Sequence, residues 1–283
     1  MASQVPVSIE VTAKHALETD NLGSLFPNGT RVYLADLGTH SVDELVKAAA
    51  RLHGLGYRPV PHIAARRMTN VADADKRIAR FMAEAHVEEF LMVAGSPEAQ
   101  VGSVASSLEL LEAGVLQKNS VRNIVVAGHP EGSPDFPDSE LLPALQAKQA
   151  FAKANNINIA VATQFSFDVP GIIAWERDLK AAGIDMPIHI GVAGPAKITT
   201  LIKYATLCGV GASLSFLKKR GGAIATMMTG FSPDEVVDPL ESHIRSGDGA
   251  LISEIHVFPF GGLKKSSEWL TERGSWSKPA TAA

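Results

Sequence analysis

The chain has 283 residues, 46% hydrophobic and 20% charged, with a formal net charge of −4, an ordinary globular make-up with no electrostatic reason to expect nucleic acid. No uninterrupted apolar stretch approaches the ~20 residues that cross a bilayer, and MASQVPVSIEV lacks the basic-then-apolar order of a signal peptide, so no membrane association is expected. Cys208 is the only cysteine, which excludes an intramolecular disulfide and a Cys-based metal cluster and suits a reducing cytoplasm.

In chain order, eight short β-rich runs read as strands: VPVSIEV (5–11), RVYLADL (31–37), RPVPHIAA (58–65), EFLMVAG (89–95), NIVVAGH (123–129), INIAVATQF (157–165), PIHIGVAG (187–194) and EIHVFPF (254–260). Their near-continuous apolar character fits strands covered on both faces. Amphipathic segments lie between them. SVDELVKAAARLHGLG opens with Ser41 and Glu44 as a capping box and stops at Gly54 and Gly56. DADKRIARFMAEAH puts Ile78, Phe81, Met82 and Ala85 on one face, and DSELLPALQAKQAFAKANN and PGIIAWERDLKAAG follow the same rule. Residues 197–245 hold three helical patterns, read as the expected seventh helix plus an insertion before the last strand. Eight β/α units in this length predict a (β/α)8 TIM barrel as a single α/β domain over 1–275, with 276–283 as a disordered tail. A doubly wound sheet is the competitor, but SIEVTAKHALE lacks the glycine-rich turn at the first strand–helix junction.

A barrel of this kind carries its chemistry at the carboxyl ends of the strands. Glu10, Asp36, His62, Ser96, His129, Gln164, Asp168, His189 and His256 fall at or near those ends. Glu10 interrupts an apolar strand, so its carboxylate needs a partner: an Arg or Lys in the barrel mouth, or a ligand and a raised pKa. Gln164 sits at the mouth of VATQFSFDV, where an amide either bonds a neighbouring loop or clamps a flat heterocycle without adding charge. Asp168 reads first as an N-cap of the following helix. His62 and His129 read as pocket-lining hydrogen-bonding groups. No His-x-His or His-x-x-x-His spacing occurs, so no metal site is expected. GVGASLSF follows a helix rather than a strand and is not read as a phosphate loop, and no Gly-x-Ser-x-Gly elbow exists.

Taken together, SIEV, PHIAAR, LMVAGSPE, VAGHPEGSP and ATQFSFDV resemble, in order, the strand-end segments of bacterial-type 5,10-methylenetetrahydrofolate reductases, over nearly the whole chain. The most specific element is Thr-Gln-x-x-Phe-Asp, matched by Thr163, Gln164, Phe167 and Asp168. The resemblance implies a homo-oligomeric oxidoreductase of one-carbon metabolism and methionine biosynthesis, reducing methylene-tetrahydrofolate with NADH or NADPH. It implies Glu10 as proton donor and Gln164 as the group contacting pterin and nicotinamide. It also implies His62, Gly95, Ser96, His129 and Lys148 on the cofactor side, and Ser96, Phe167 and Phe258 on the substrate side. The family binds FAD through an Arg-Gly-Asp at strand four; here Ala94, Gly95 and Ser96 stand there, and one strand-five histidine is also missing. These departures predict weak or absent FAD and direct hydride transfer between bound nicotinamide and folate, along walls supplied by Phe165, Phe167, Phe258 or Phe260. The alternative is a pterin-dependent methyl- or group-transferase on the same barrel without redox chemistry; a non-catalytic folate-binding barrel is a third option.

Overall fold

The eight apolar runs become the eight strands of a closed parallel barrel in the computed structural model, which describes residues 4–220, 230–247 and 249–277. The barrel strands are β1 (Val7–Thr12), β2 (Arg31–Ala35), β3 (Arg58–Ala64), β4 (Glu89–Val93), β5 (Asn123–Gly128), β6 (Asn158–Phe165), β7 (Ile188–Ala193) and β10 (Ile252–Phe258), closing in the order β1-β10-β7-β6-β5-β4-β3-β2. Between β7 and β10 a separate two-stranded antiparallel sheet pairs β8 (Ala196–Lys197) with β9 (Gly230–Phe231).

The helices are α1 (Ala13–Glu18), α2 (Val42–Gly54), α3 (Val71–Ala85), α4 (Ser107–Glu112), α5 (Val115–Lys118), α6 (Asp138–Ala154), α7 (Val169–Ala181), α8 (Ile198–Leu207), α9 (Gly211–Arg220), α10 (Asp234–Ser246) and α11 (Leu263–Glu272). The capping box of α2 forms as read, with Ser41 accepting from the Glu44 N–H and Glu44 returning a bond to the Ser41 N–H at 2.8 Å. Ile78, Phe81 and Ala85 of α3 are buried, whereas Met82, at the edge of that stripe, is half-buried. α10 packs on α7 and β10, so it is the seventh helix of the barrel, and α8 with α9, packed on each other, is the insertion. The short helices α1, α4 and α5 had no clear periodic signal, since one or two turns give too few positions to define a face, whereas α11, unread in the sequence, buries Leu263, Ser266, Ser267, Trp269 and Leu270 on one face. Of the helix read across 211–230, residues 221–229 lie outside the described residues, as do 278–283 of the expected tail. Trp276 is buried, its N–H donating to the Leu270 carbonyl at 3.0 Å.

The chain forms two compact units, one from Met1–Ile9, Gly128–Leu142 and Ala162–Lys278, the other from Glu10–Ala127 and Pro143–Val161. In the first, the strands alternate between an aliphatic face and a polar one. Ile188, Ile190, Val192, Ile255 and Val257 make the aliphatic face, which matches the helical layer of a barrel. The opposite parity carries Ser8, His189, Glu254 and His256, all buried. Register aligns Ser8 with His256, and Glu254 with His189. Ser8 Oγ lies 3.0 Å from His256 Nδ1, and His189 Nε2 lies 3.9 Å from a Glu254 oxygen. The buried polar groups thus meet in cross-strand pairs, as groups shut off from water must.

β6 breaks its alternation at Thr163 and Gln164. A Cβ built at Gly191 on β7 would stand 2.5 Å from the backbone carbonyl oxygens of both residues. Both carbonyls therefore crowd position 191, where only a glycine leaves them room. The Gly191 N–H donates instead to Thr163 Oγ1 at 2.8 Å, and Ser166 N–H returns to the Gly191 carbonyl at 3.2 Å. Gly191→Ala is therefore expected to destabilise the fold by about 1–3 kcal/mol or more, read as a lowered midpoint in denaturant unfolding. An unchanged midpoint would contradict the close backbone approach.

Candidate functional site

In the unit containing residues 10–127, the carboxyl ends of β1, β3 and β4 carry the polar groups. Glu10 stands on β1 and His62 on β3, with carboxylate Oε2 and imidazole Nε2 3.5 Å apart and the side chains 21% and 15% exposed. The sequence left Glu10 either an Arg or Lys in the barrel mouth or a ligand as its partner; the structure places a histidine beside it. An imidazole can both neutralise a carboxylate and exchange a proton with it near neutral pH, which a guanidinium cannot.

Directly after β3 a single 3-10 turn spans Ala65–Arg67. Arg66 is buried; its N–H donates to the Ala94 carbonyl at 2.8 Å and its Nη1 to the Gly95 carbonyl at 2.7 Å. Gly95 takes φ +82, a left-handed turn that side-chain-bearing residues avoid, and Ser96 beyond it is exposed. Position 94 supplies no cation, but Arg66 brings one to the same turn. Sequence reading missed this residue. Its signal was the Arg-Arg pair immediately past PHIA, at the rim where a barrel binds ligands.

Lys148 is half-buried on α6 and makes no hydrogen bond or ion pair with any described residue. Burial without a carboxylate lowers its pKa to about 8. It stands about 15 Å along the helix axis from Asp138, well down from the strand-exit end.

The other unit holds Gln164, half-buried at the end of β6. Its side-chain amide makes no hydrogen bond to any described residue. Phe165 is fully buried beside Phe167, Phe258 and Phe260, with centroids at 5.9, 5.9 and 4.9 Å. Phe167 is itself buried, stacked on Phe216 and edge-on to Phe231, so these two rings serve first as core. Phe258 and Phe260 are half-buried and stacked on each other at 5.7 Å, and Tyr204 stacks on Phe260 at 4.1 Å. Asp168 is the N-cap of α7, accepting from the Gly171 N–H at 3.2 Å, the structural role read for it. His129 is half-buried past β5, its carbonyl accepting from Gly132 N–H at 3.2 Å to close a turn. In the same loop Glu131 accepts from the Ser213 N–H at 2.9 Å and from its hydroxyl, while that hydroxyl accepts from the Phe167 N–H at 2.9 Å. A carboxylate of the chain's own thus occupies the first turn of α9, the place a phosphate loop would have offered an anion.

The structure therefore joins Glu10 to His62, and Gly95 to Arg66, and it gathers Phe167 and Phe258 around Phe165. Among the described residues no three His, Cys, Asp or Glu side chains are placed to hold a metal ion, and no helix is long and apolar enough to cross a membrane.

Lys148 generates a pH prediction. Its folded pKa of about 8 lies below its ordinary 10.5, so between those values the folded state binds fewer protons than the unfolded chain. The resulting penalty is complete below about 8 and fades towards 10.5, amounting to about 3 kcal/mol. Lys148→Met is expected to raise the unfolding temperature at pH 7 and to lose that gain as the pH approaches 10.5. Equal unfolding temperatures at pH 7 would contradict the desolvated, unpaired ammonium.

No protein-family model matches the chain. Among solved structures it is similar to an uncharacterized protein from Clostridium thermocellum, described as binding two copies of 5-methyl-5,6,7,8-tetrahydrofolic acid. The match has a TM-score of 0.59 at 10% identity and covers 95% of this chain and 96% of that one. At that identity the likeness shows a shared barrel fold.

Proposed function

We propose that the protein reduces 5,10-methylene-tetrahydrofolate to 5-methyl-tetrahydrofolate with hydride from a reduced nicotinamide dinucleotide. The observation that carries this reading is the Glu10–His62 pair: a half-buried acid on a strand near its carboxyl end, with an imidazole 3.5 Å away. Opening the methylene bridge needs one proton at N10, where the C–N10 bond breaks and leaves an iminium at N5. Glu10 supplies that proton, and its carboxylate then faces the cation it has helped create. His62 returns a proton to Glu10 from solvent. Hydride addition to the iminium carbon gives the methyl group and the oxidised nicotinamide, so proton and electron pair balance.

In the other unit, the side-chain amide of Gln164 has no protein partner among the described residues, which suits it to a carboxamide or another flat polar edge. The half-buried faces of Phe258 and Phe260 offer flat apolar surface in the same unit. The folate named for the clostridial protein of similar fold supports a folate as the substrate class. Flavin is not part of the proposal: the strand-four turn has Ala94 and exposed Ser96, and no carboxylate stands at 96 to face a flavin ring. No step is routed through it, and nicotinamide and folate are held together.

A group transferase acting on the same folate is the second reading, in keeping with the methylated folate that the clostridial protein of similar fold is described as binding. Oxidation of NADH or NADPH that depends on methylene-tetrahydrofolate separates the two, and a purified protein with a strong flavin spectrum and ping-pong kinetics would defeat direct transfer. Glu10→Gln is expected to lower kcat by about 10²–10⁴-fold while folate affinity changes only a few-fold. A mutant with full turnover would remove Glu10 from the chemistry.

A further inference from the structure

Direct transfer, as proposed above, demands that the dinucleotide be held while folate is bound, and so requires an anion site for its diphosphate. We infer that the rim formed by the exits of β2, β3 and β4 is that site, with Arg67 as the residue that reads the diphosphate and Arg66 beside it. The cations of this rim are not all held by its carboxylates. Asp36 and Asp73 both face Arg77, at 3.9 and 3.1 Å, and both also accept backbone N–H bonds, from Gly38 and Thr69. Arg66 is turned to the Gly95 carbonyl. Arg67 is half-buried; its carbonyl accepts from Arg77 Nη2 at 3.4 Å, but its guanidinium makes no hydrogen bond or ion pair with any described residue. A guanidinium is costly to leave without an acceptor in a partly dry setting, and its planar fork matches adjacent phosphate oxygens better than any other side chain does.

Its position is also specified. A Cβ at Gly38 would lie 1.4 Å from Arg67 Nη1, so the guanidinium lies in space that only a glycine leaves open. Gly38 takes φ +71, a conformation glycine adopts without strain. Beside the two arginines stand exposed apolar side chains: Leu37, 57% exposed and adjacent to Gly38, and Val101, 66% exposed, whose N–H donates to the Arg66 carbonyl at 2.8 Å. Exposed aliphatic groups next to a cation lacking an acceptor suit a flat base joined to a diphosphate, the chemistry of an adenosine diphosphate arm.

The test is direct binding of ADP-ribose, which needs no turnover, by calorimetry on the full chain at low and at moderate salt. Arg67→Gln is expected to weaken ADP-ribose by about 10-fold or more at low salt, and Arg67→Lys by less, with the unfolding temperature unchanged because no protein bond is lost. In steady state the same variant should raise KM for the dinucleotide and leave KM for the folate alone. ADP-ribose bound equally by wild type and Arg67→Gln would overturn the assignment. So would a variant that loses only p-aminobenzoyl-glutamate, since that result gives the rim to the folate tail. If wild type binds ADP-ribose through Arg67 but oxidises no NADH or NADPH with methylene-tetrahydrofolate, the anion site stands and the reductase reading falls.

Discussion

A polar side chain enclosed by a closed parallel barrel has lost its water and must find a partner inside the protein or in a ligand. That constraint organises the functional end of this molecule. Ser8 meets His256, His189 lies beside Glu254, and Thr163 takes the N–H of Gly191. Closer to the rim the rule is met less completely. Glu10 and His62 stand 3.5 Å apart, at the outer edge of a hydrogen bond, and Gln164 has no protein partner among the described residues.

The same logic separates structural from functional candidates among residues that look alike on paper. Asp168 and Glu131 are acidic groups in loops past strand ends, yet each is consumed by a helix start, Asp168 at α7 and Glu131 at α9. Carboxylates there are held by N–H groups and by the helix dipole, which gives them a full structural role. Phe165 and Phe167 likewise belong to a packed cluster, while Phe258 and Phe260 keep part of their faces open. Arg66 and Arg67 are neighbours in sequence, but the guanidinium of one is bonded to Gly95 and that of the other rests over Gly38 with no bonded partner among the described residues. Partner count, rather than residue type, distinguishes them.

The sequence by itself determined the barrel, because eight runs of apolar β-formers separated by capped amphipathic helices leave few other ways to bury strands on both faces. It also determined local devices whose partners lie within a few residues, such as the Ser41–Glu44 capping box and the Asp168 N-cap. Tertiary structure alone decided the contacts between strands: that Glu10 stands beside His62, that Arg66 rather than residue 94 brings a guanidinium to the Gly95 turn, and that Gly191 meets the carbonyls of Thr163 and Gln164. The physical reason is range. Capping and amphipathicity are written in spacings of three and four residues, whereas cross-strand register and guanidinium reach join positions 28 to 52 residues apart, and only the closed sheet fixes which of them meet.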